Sequence, residues 1–170
     1  MTALTIGGSP EMNAPIKVLV VDDSPDITEL LSYLIGVEPS LECVGCRQSA
    51  DGLADDIHRL QPDILVLDAS MPGKDPITAL AECRIEFPGL RAVVYSGYDD
   101  SALIERVIDA AAWGFVSKRE APNVVVRAIL AVAAGQVVFP VNQSRPTGPE
   151  PRSSGRSAAP LPPSEAGEHC

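Results

Sequence analysis

The amino-acid sequence predicts an α/β fold, a five-stranded parallel sheet doubly wound by helices as (βα)5, on three observations. Short runs rich in Val, Ile and Leu alternate along the chain with segments whose apolar residues recur at helical spacing. Hydrophobic residues make up 45% of the chain but aromatics only 4%, which points to the aliphatic core of a buried parallel sheet. Each apolar run is separated from the next by a stretch long enough to hold the crossover helix that parallel strands require.

Ile16 to Val21 (IKVLVV) reads as the first strand and ends abruptly at Asp22 and Asp23. Ser24 offers an N-cap and Pro25 a first helical position. Ile27, Leu30, Leu31, Leu34 and Ile35 then repeat at helical spacing until the Gly36 to Pro39 stretch stops the helix. Leu41 to Arg47 is the second strand, Ala50 to Leu60 the second helix, and Asp63 to Leu67 (DILVL) the third strand, with Asp68 at its carboxyl end. Asp75 and Pro76 repeat the cap-then-proline signal for a helix through Ile77, Leu80, Ala81 and Phe87, closed by Pro88 and Gly89. Arg91 to Tyr95, Asp100 to Ala111, Trp113 to Ser117 and Asn123 to Ala134 complete the series as strand, helix, strand and helix, with Gly135 as the final stop.

The flanks differ in character. Residues 1–15 read as an N-terminal extension too polar for a signal peptide, and residues 141–170 hold six of the sixteen prolines, several serines and few large apolar side chains, the composition of a disordered tail. The 170 residues leave room for one domain of the usual size, about 100 to 150 residues, assigned to 16–140. A net charge of -10 with no basic stripe argues against direct nucleic-acid binding. No apolar run approaches the roughly 20 residues that span a bilayer, so no membrane partner and a cytoplasmic location are expected.

Ligands of open α/β sheets bind outside the carboxyl ends of the strands. There the sequence puts Asp22 and Asp23 after the first strand, Asp68 after the third, Ser96 after the fourth and Lys118 after the fifth. Crowded carboxylates repel one another unless a cation joins them, and hard oxygen donors with room for water suit Mg²⁺. A carboxylate beside such a metal can attack a phosphoryl group to give an aspartyl phosphate, while a lysine neutralises the transferring oxygens. Each residue alone has an ordinary reading: the Asp-Asp-Ser-Pro as a solvated turn and cap, Ser96-Gly97 as a turn, Lys118 as a counter-charge, Phe115 as core. The common strand-end placement favours the chemical reading for the polar residues.

These residues lie in VLVVDDSP (18–25), DILVLDASMPG (63–73), VVYSG (93–97) and WGFVSK (113–118), and through them the chain from Ile16 to Ala134 resembles the response-regulator receiver domain, including its chemotaxis-type single-domain members. The resemblance implies a flavodoxin-like (βα)5 receiver of a two-component system, a phosphoprotein that catalyses only its own phosphotransfer and slow dephosphorylation and is otherwise not an enzyme. It implies Asp68 as phosphoacceptor, Asp23, Asp68 and the Ser70 carbonyl as direct Mg²⁺ ligands, and Asp22 acting on the metal largely through water. Lys118 pairs with phosphoryl oxygens in this family, Ser96 matches its switch hydroxyl, and Phe115 matches the aromatic whose rotamer responds. The implied partners are a sensor histidine kinase or phosphotransfer protein as donor and a downstream protein, with the fourth helix, fifth strand and fifth helix as signalling surface and possible homodimer contact. Ser70 and Tyr98 match positions that govern water access to the acyl phosphate, and a bulky Tyr98 implies slow dephosphorylation. Two positions depart from the commonest pattern: Arg119 follows Lys118 where proline is frequent, and Pro76 stands where glycine often does.

A haloacid-dehalogenase-type phosphohydrolase also uses an aspartyl phosphate, but it needs an acid two residues beyond a nucleophile on the first strand, where this chain has Ser24 after Asp22. The same residues are compatible with a phosphorylation-independent, receiver-like interaction module. They are compatible too with the input half of a transcriptional regulator lacking its DNA-binding domain, which RAILAVAAGQVVF at 127–139 suggests. Cys43 and Cys46 have CxxC spacing, but residues three apart on a regular strand face opposite sides, so neither zinc nor redox chemistry is expected of them. Cys83, Cys170, His58 and His169 are assigned no role.

Overall fold

A computed structural model describes residues 14–140. The N-terminal extension up to residue 13 and the 141–170 tail lie outside the described residues. Five parallel strands, β1 (Ile16–Val21), β2 (Leu41–Arg47), β3 (Ile64–Leu67), β4 (Arg91–Ser96) and β5 (Gly114–Ser117), form one sheet in the order β2-β1-β3-β4-β5. Five helices, α1 (Pro25–Gly36), α2 (Leu53–Leu60), α3 (Pro76–Glu86), α4 (Ser101–Asp109) and α5 (Asn123–Ala133), cover both faces, the first four making the crossovers. This is the doubly wound fold expected from the alternating pattern, with boundaries moved by a few residues at most. None of the helices among the described residues is long and apolar enough to cross a membrane.

The sheet is apolar on both sides because successive strand residues point to opposite faces and both faces are covered. Leu19, Val21, Leu65, Leu67, Ala92, Val94 and Phe115 pack with α2, α3 and α4, while Val18, Val20, Ile64, Val66, Val93, Tyr95 and Val116 pack with α1 and α5. The central position of β3 explains its unbroken ILVL run, buried at every residue.

Helix starts follow the sequence signals with one difference in chemistry. The Asp75 carboxylate accepts from the Thr78 amide at 2.9 Å and the Asp100 carboxylate from the Leu103 amide at 3.0 Å, as N-caps do. Ser24 occupies the N-cap position of α1, but its hydroxyl makes no capping bond. Instead the Ser24 amide donates to Asp22 Oδ1 at 3.0 Å, so this turn serves to fix an acidic side chain. Helix α2 begins at Leu53 rather than Ala50, because Gly52 sits in the left-handed region at φ 70° and interrupts the helical path. At the far end of α5 no basic residue lies in the last turn, and Arg91 of β4 supplies one by donating to the Val132 and Ala133 carbonyls at 2.8 and 2.7 Å.

Edge strand β2 carries an irregularity that sequence periodicity cannot show. Cys43 opposes Val18 of β1 and Gly45 opposes Leu19, so Val44 is an extra residue in the ladder, a β-bulge. Val44 packs into the α2 side of the core, and a Cβ on Gly45 would meet Leu60 of α2 at 3.0 Å. Two consecutive residues thus face the same side. This corrects the expectation for the cysteines: the bulge resets the alternation, and Cys43 and Cys46 both point towards α1 with their sulfurs 3.8 Å apart.

The other edge is also modified. After α5 the chain returns alongside β5, where Val138 pairs in parallel with Gly114. The Val138 amide donates to the Trp113 carbonyl at 2.9 Å and the Phe115 amide to the Val138 carbonyl at 2.7 Å. Gly114 permits this approach, since a Cβ there would lie 3.1 Å from the Val138 carbonyl oxygen and 3.4 Å from Val138 Cβ. Gly114→Ala is therefore expected to lower stability by about 1–3 kcal/mol through overpacking. A shift in the urea midpoint at unchanged slope checks it.

Candidate functional site

Backbone ladders continue past the strand ends and place the polar residues that follow. The Asp22 amide donates to the Arg47 carbonyl and the Asp68 amide to the Val21 carbonyl, both at 2.9 Å, and the Lys118 amide donates to the Ser96 carbonyl at 2.8 Å. Asp22, Asp68, Ser96 and Lys118 are in this way held by the same parallel sheet that packs the core.

Their side chains meet above the carboxyl edge. Lys118 Nζ lies 2.6 Å from Asp22 Oδ2 and 3.1 Å from Asp68 Oδ2. Asp68 Oδ1 accepts from the Ser70 amide at 3.1 Å. Asp22 and Asp68 are 2% and 4% exposed, whereas Asp23 is open to solvent, so the cluster has a buried floor and an accessible rim. Carboxylate oxygens of Asp22, Asp23 and Asp68 lie within 4.8 Å of one another.

Burial and the neighbouring charges act on these groups in opposite senses. For Asp68, burial pushes the carboxyl up, the Lys118 ammonium and the Ser70 amide pull it down, and Asp22 adds to the rise, leaving it above the usual carboxylate range. For Lys118, burial disfavours the ammonium, but contact with Asp22 and Asp68 outweighs it and holds the group above its ordinary value. Three carboxylates facing one ammonium leave excess negative charge in a confined space. A hard divalent cation with oxygen ligands and retained water fits this donor set, and Mg²⁺ meets that description.

Ser96 is fully buried at the end of β4, and its hydroxyl accepts from the Tyr98 amide at 3.2 Å. It flanks the cluster through backbone bonding, and its hydroxyl makes no hydrogen bond to the carboxylates. Ser70 is exposed beside Asp68, and Phe115 is buried in the core layer that also holds Ile104 of α4. Arg119, where the family often has proline, forms an ion pair with Asp99 at 3.1 Å, its amide donates to Ser117 Oγ at 3.3 Å, and every peptide bond among the described residues is trans.

Sequence reasoning passed over Tyr95, whose ring lies 5.7 Å from Lys118 Nζ. The ring forms an apolar wall beside the ammonium and adds a cation–π contact. Its position one residue before Ser96 on a strand facing α5 was the available signal, but it reads equally well as core.

A profile of the response regulator receiver domain matches residues 18–130. The chain belongs to the response regulator receiver family. This receiver is 32% identical over 127 residues to the nitrate/nitrite response regulator protein NarP of Escherichia coli, covering 74% of this chain and 58% of that protein. It is 32% identical over 158 residues to a protein-glutamate methylesterase/protein-glutamine glutaminase of Symbiobacterium thermophilum, covering 92% of this chain and 43% of that one. Among solved structures it resembles the isolated REC domain of RcsB from Salmonella enterica serovar Typhimurium, with a TM-score of 0.69 and 25% identity over 75% of this chain and 94% of that chain. The chain spans about half the length of the curated relatives it matches.

The raised carboxyl of Asp68 sets a stability test. A folded-state value above the unfolded one means that the native state binds the extra proton, so stability falls as pH rises from the unfolded value of 3.8 through the folded one, and the deficit then persists at neutral pH. Asp68→Asn removes this cost and is expected to be more stable than wild type at pH 7, with the gain shrinking as pH approaches 4. Urea unfolding of both proteins across that interval measures it.

Proposed function

We propose that this receiver takes a phosphoryl group onto Asp68 from a phosphohistidine of a sensor histidine kinase or phosphotransfer protein and signals to a downstream protein by a change of surface. The observation that carries the reading is the placement of Asp68: it ends the central strand, nearly buried, with Lys118 at 3.1 Å and two further carboxylates within reach. In the proposed step an Asp68 oxygen attacks phosphorus, a P–O bond forms as the P–N bond breaks, and the imidazole leaves. Asp22, Asp23, Asp68 and the Ser70 carbonyl would hold Mg²⁺, which when bound supplies charge neutralisation to the phosphoryl oxygens.

Lys118 has two roles in this scheme. Before transfer it neutralises Asp22 and Asp68; afterwards it pairs with a phosphoryl oxygen, keeping a counter-charge in place throughout. Ser96, buried next to this point, supplies the hydroxyl that turns to the phosphoryl group, and Phe115 on the adjacent strand follows by a rotamer change. The signal then reaches the α4, β5 and α5 surface, which also serves as the contact if the phosphorylated protein dimerises. Tyr98, exposed and two residues beyond Ser96, screens the acyl phosphate from water and slows its loss.

Residues 16–140 constitute the receiver unit in this reading, acting in the cytoplasm as a switch rather than as an enzyme with its own substrate. The net charge of -10 supports a protein target over nucleic acid for this chain. The relatives named as transcriptional regulators and as methylesterases support a receiver that controls an output of either kind.

Incubation with Mg²⁺ and acetyl phosphate should add one phosphoryl group to the intact mass of wild type and none to Asp68→Asn or to metal-free protein. Lys118→Met should retain the acceptor yet lose phosphorylation rate by one or more orders of magnitude. Absence of any gain in wild type would leave the phosphorylation-independent interaction module as the better account.

A further inference from the structure

The two cysteines of β2 form a second chemical feature, separate from the acidic cluster. Their sulfurs are in van der Waals contact at 3.8 Å. Cys46 is exposed and Cys43 half-buried, while Cys83 is buried alone in the core. The bulge at Val44 explains the pairing: Cys43 opposes Val18 and Cys46 opposes Val20, so the four-residue CVGC segment spans only two residues of strand rise, about 6.6 Å. Disulfides bridge Cα atoms roughly 4.4–6.8 Å apart. An unbulged strand would place the same residues too far apart and on opposite faces. β2 is an edge strand with only β1 beside it, so closing the sulfurs to the roughly 2.05 Å of a disulfide displaces one strand ladder at most.

We propose that Cys43 and Cys46 constitute a redox-active dithiol that low-molecular-weight disulfides oxidise to an intrastrand disulfide, a change registered at the Asp22 end of β1. The exposed Cys46 thiolate attacks one sulfur of the small disulfide, forming a mixed disulfide and releasing one small thiolate. The Cys43 thiolate then attacks Cys46 Sγ, the protein S–S bond forms, and the second small thiolate leaves. The protein loses two electrons and two protons, and the small disulfide becomes two thiols. Although the residue is open to solvent at its surface, partial desolvation of its sulfur against α1, and then the neighbouring Cys43, push the Cys46 thiol up to about 11, so the exchange is slow at neutral pH and accelerates as pH rises towards that value.

Two contacts carry the change inward. Cys46 Sγ lies 3.7 Å from the Thr28 carbonyl of α1, and the carbonyl of the next residue, Arg47, accepts the Asp22 amide at 2.9 Å. Drawing Cys46 towards Cys43 shifts the strand end on which that amide rests.

The test uses the full chain carrying Cys170→Ser, incubated with graded glutathione disulfide, acid-quenched and alkylated for mass analysis. The expected product has Cys83 alkylated, no retained glutathione, and a peptide in which Cys43 is joined to Cys46. Cys43→Ser should instead trap glutathione on Cys46. Amide NMR of the oxidised protein should show a displaced Asp22 resonance that returns on reduction; this readout needs neither metal nor phosphoryl donor, so it stands apart from the phosphoacceptor reading. A wild-type pair that stays alkylatable, or that stops at the mixed disulfide, overturns the dithiol; a disulfide that leaves the Asp22 resonance in place overturns the coupling.

Discussion

Lys118 stands between Asp22 and Asp68, and the architecture around it exists to make that contact possible. Two nearly buried carboxylates on adjacent strands repel each other and lose hydration, and neither cost is met by the apolar strands beneath. An ammonium reaching across from β5 offsets part of both. It can reach because the strands of a parallel sheet each deliver their next residue to the same edge, with β4 alone between β3 and β5. Tyr95 gives the long lysine side chain a wall to lie against, which limits its alternative rotamers. Excess negative charge still remains, and a divalent cation held at the rim formed by Asp23 would offset it.

The two edges of the sheet have been treated differently. On the β5 side, the chain after α5 returns and occupies part of the free ladder, with Gly114 leaving room for the Val138 carbonyl. The backbone of Phe115 is therefore bonded to Val138, a residue outside the (βα)5 repeat. On the β2 side the edge is interrupted by a bulge, a common means of discouraging pairing with another chain. The same bulge brings two thiols together. One local irregularity thus acts on both edge protection and chemistry.

The strands themselves and the residues of the candidate site were legible in the sequence for the same reason: both depend on local patterns. Buried strands of a parallel sheet require continuous aliphatic runs, and a site at their carboxyl ends requires polar residues immediately after those runs, as Asp22, Asp23, Asp68, Ser96 and Lys118 show. What escaped was non-local. Ser24 has the residue type and position of a helix cap, yet Asp22 uses its amide and its hydroxyl makes no capping bond. Tyr95 reads as core because a ring beside an ammonium and a ring in a core have the same one-dimensional signature. The Cys43–Cys46 contact is hidden by uniform strand alternation, a pattern that a single extra residue breaks.

The sequence by itself determined the fold class, the order of elements, the aliphatic composition of both core faces and the set of strand-end residues, since each follows from hydrophobic periodicity and turn chemistry within about a dozen residues. Tertiary structure alone decided which carboxylates the lysine touches, how burial offsets that attraction at Asp68, and where the ladder slips. Those outcomes depend on distances between segments far apart in the chain, and on the register in which β1 and β2 align, which side-chain type does not encode.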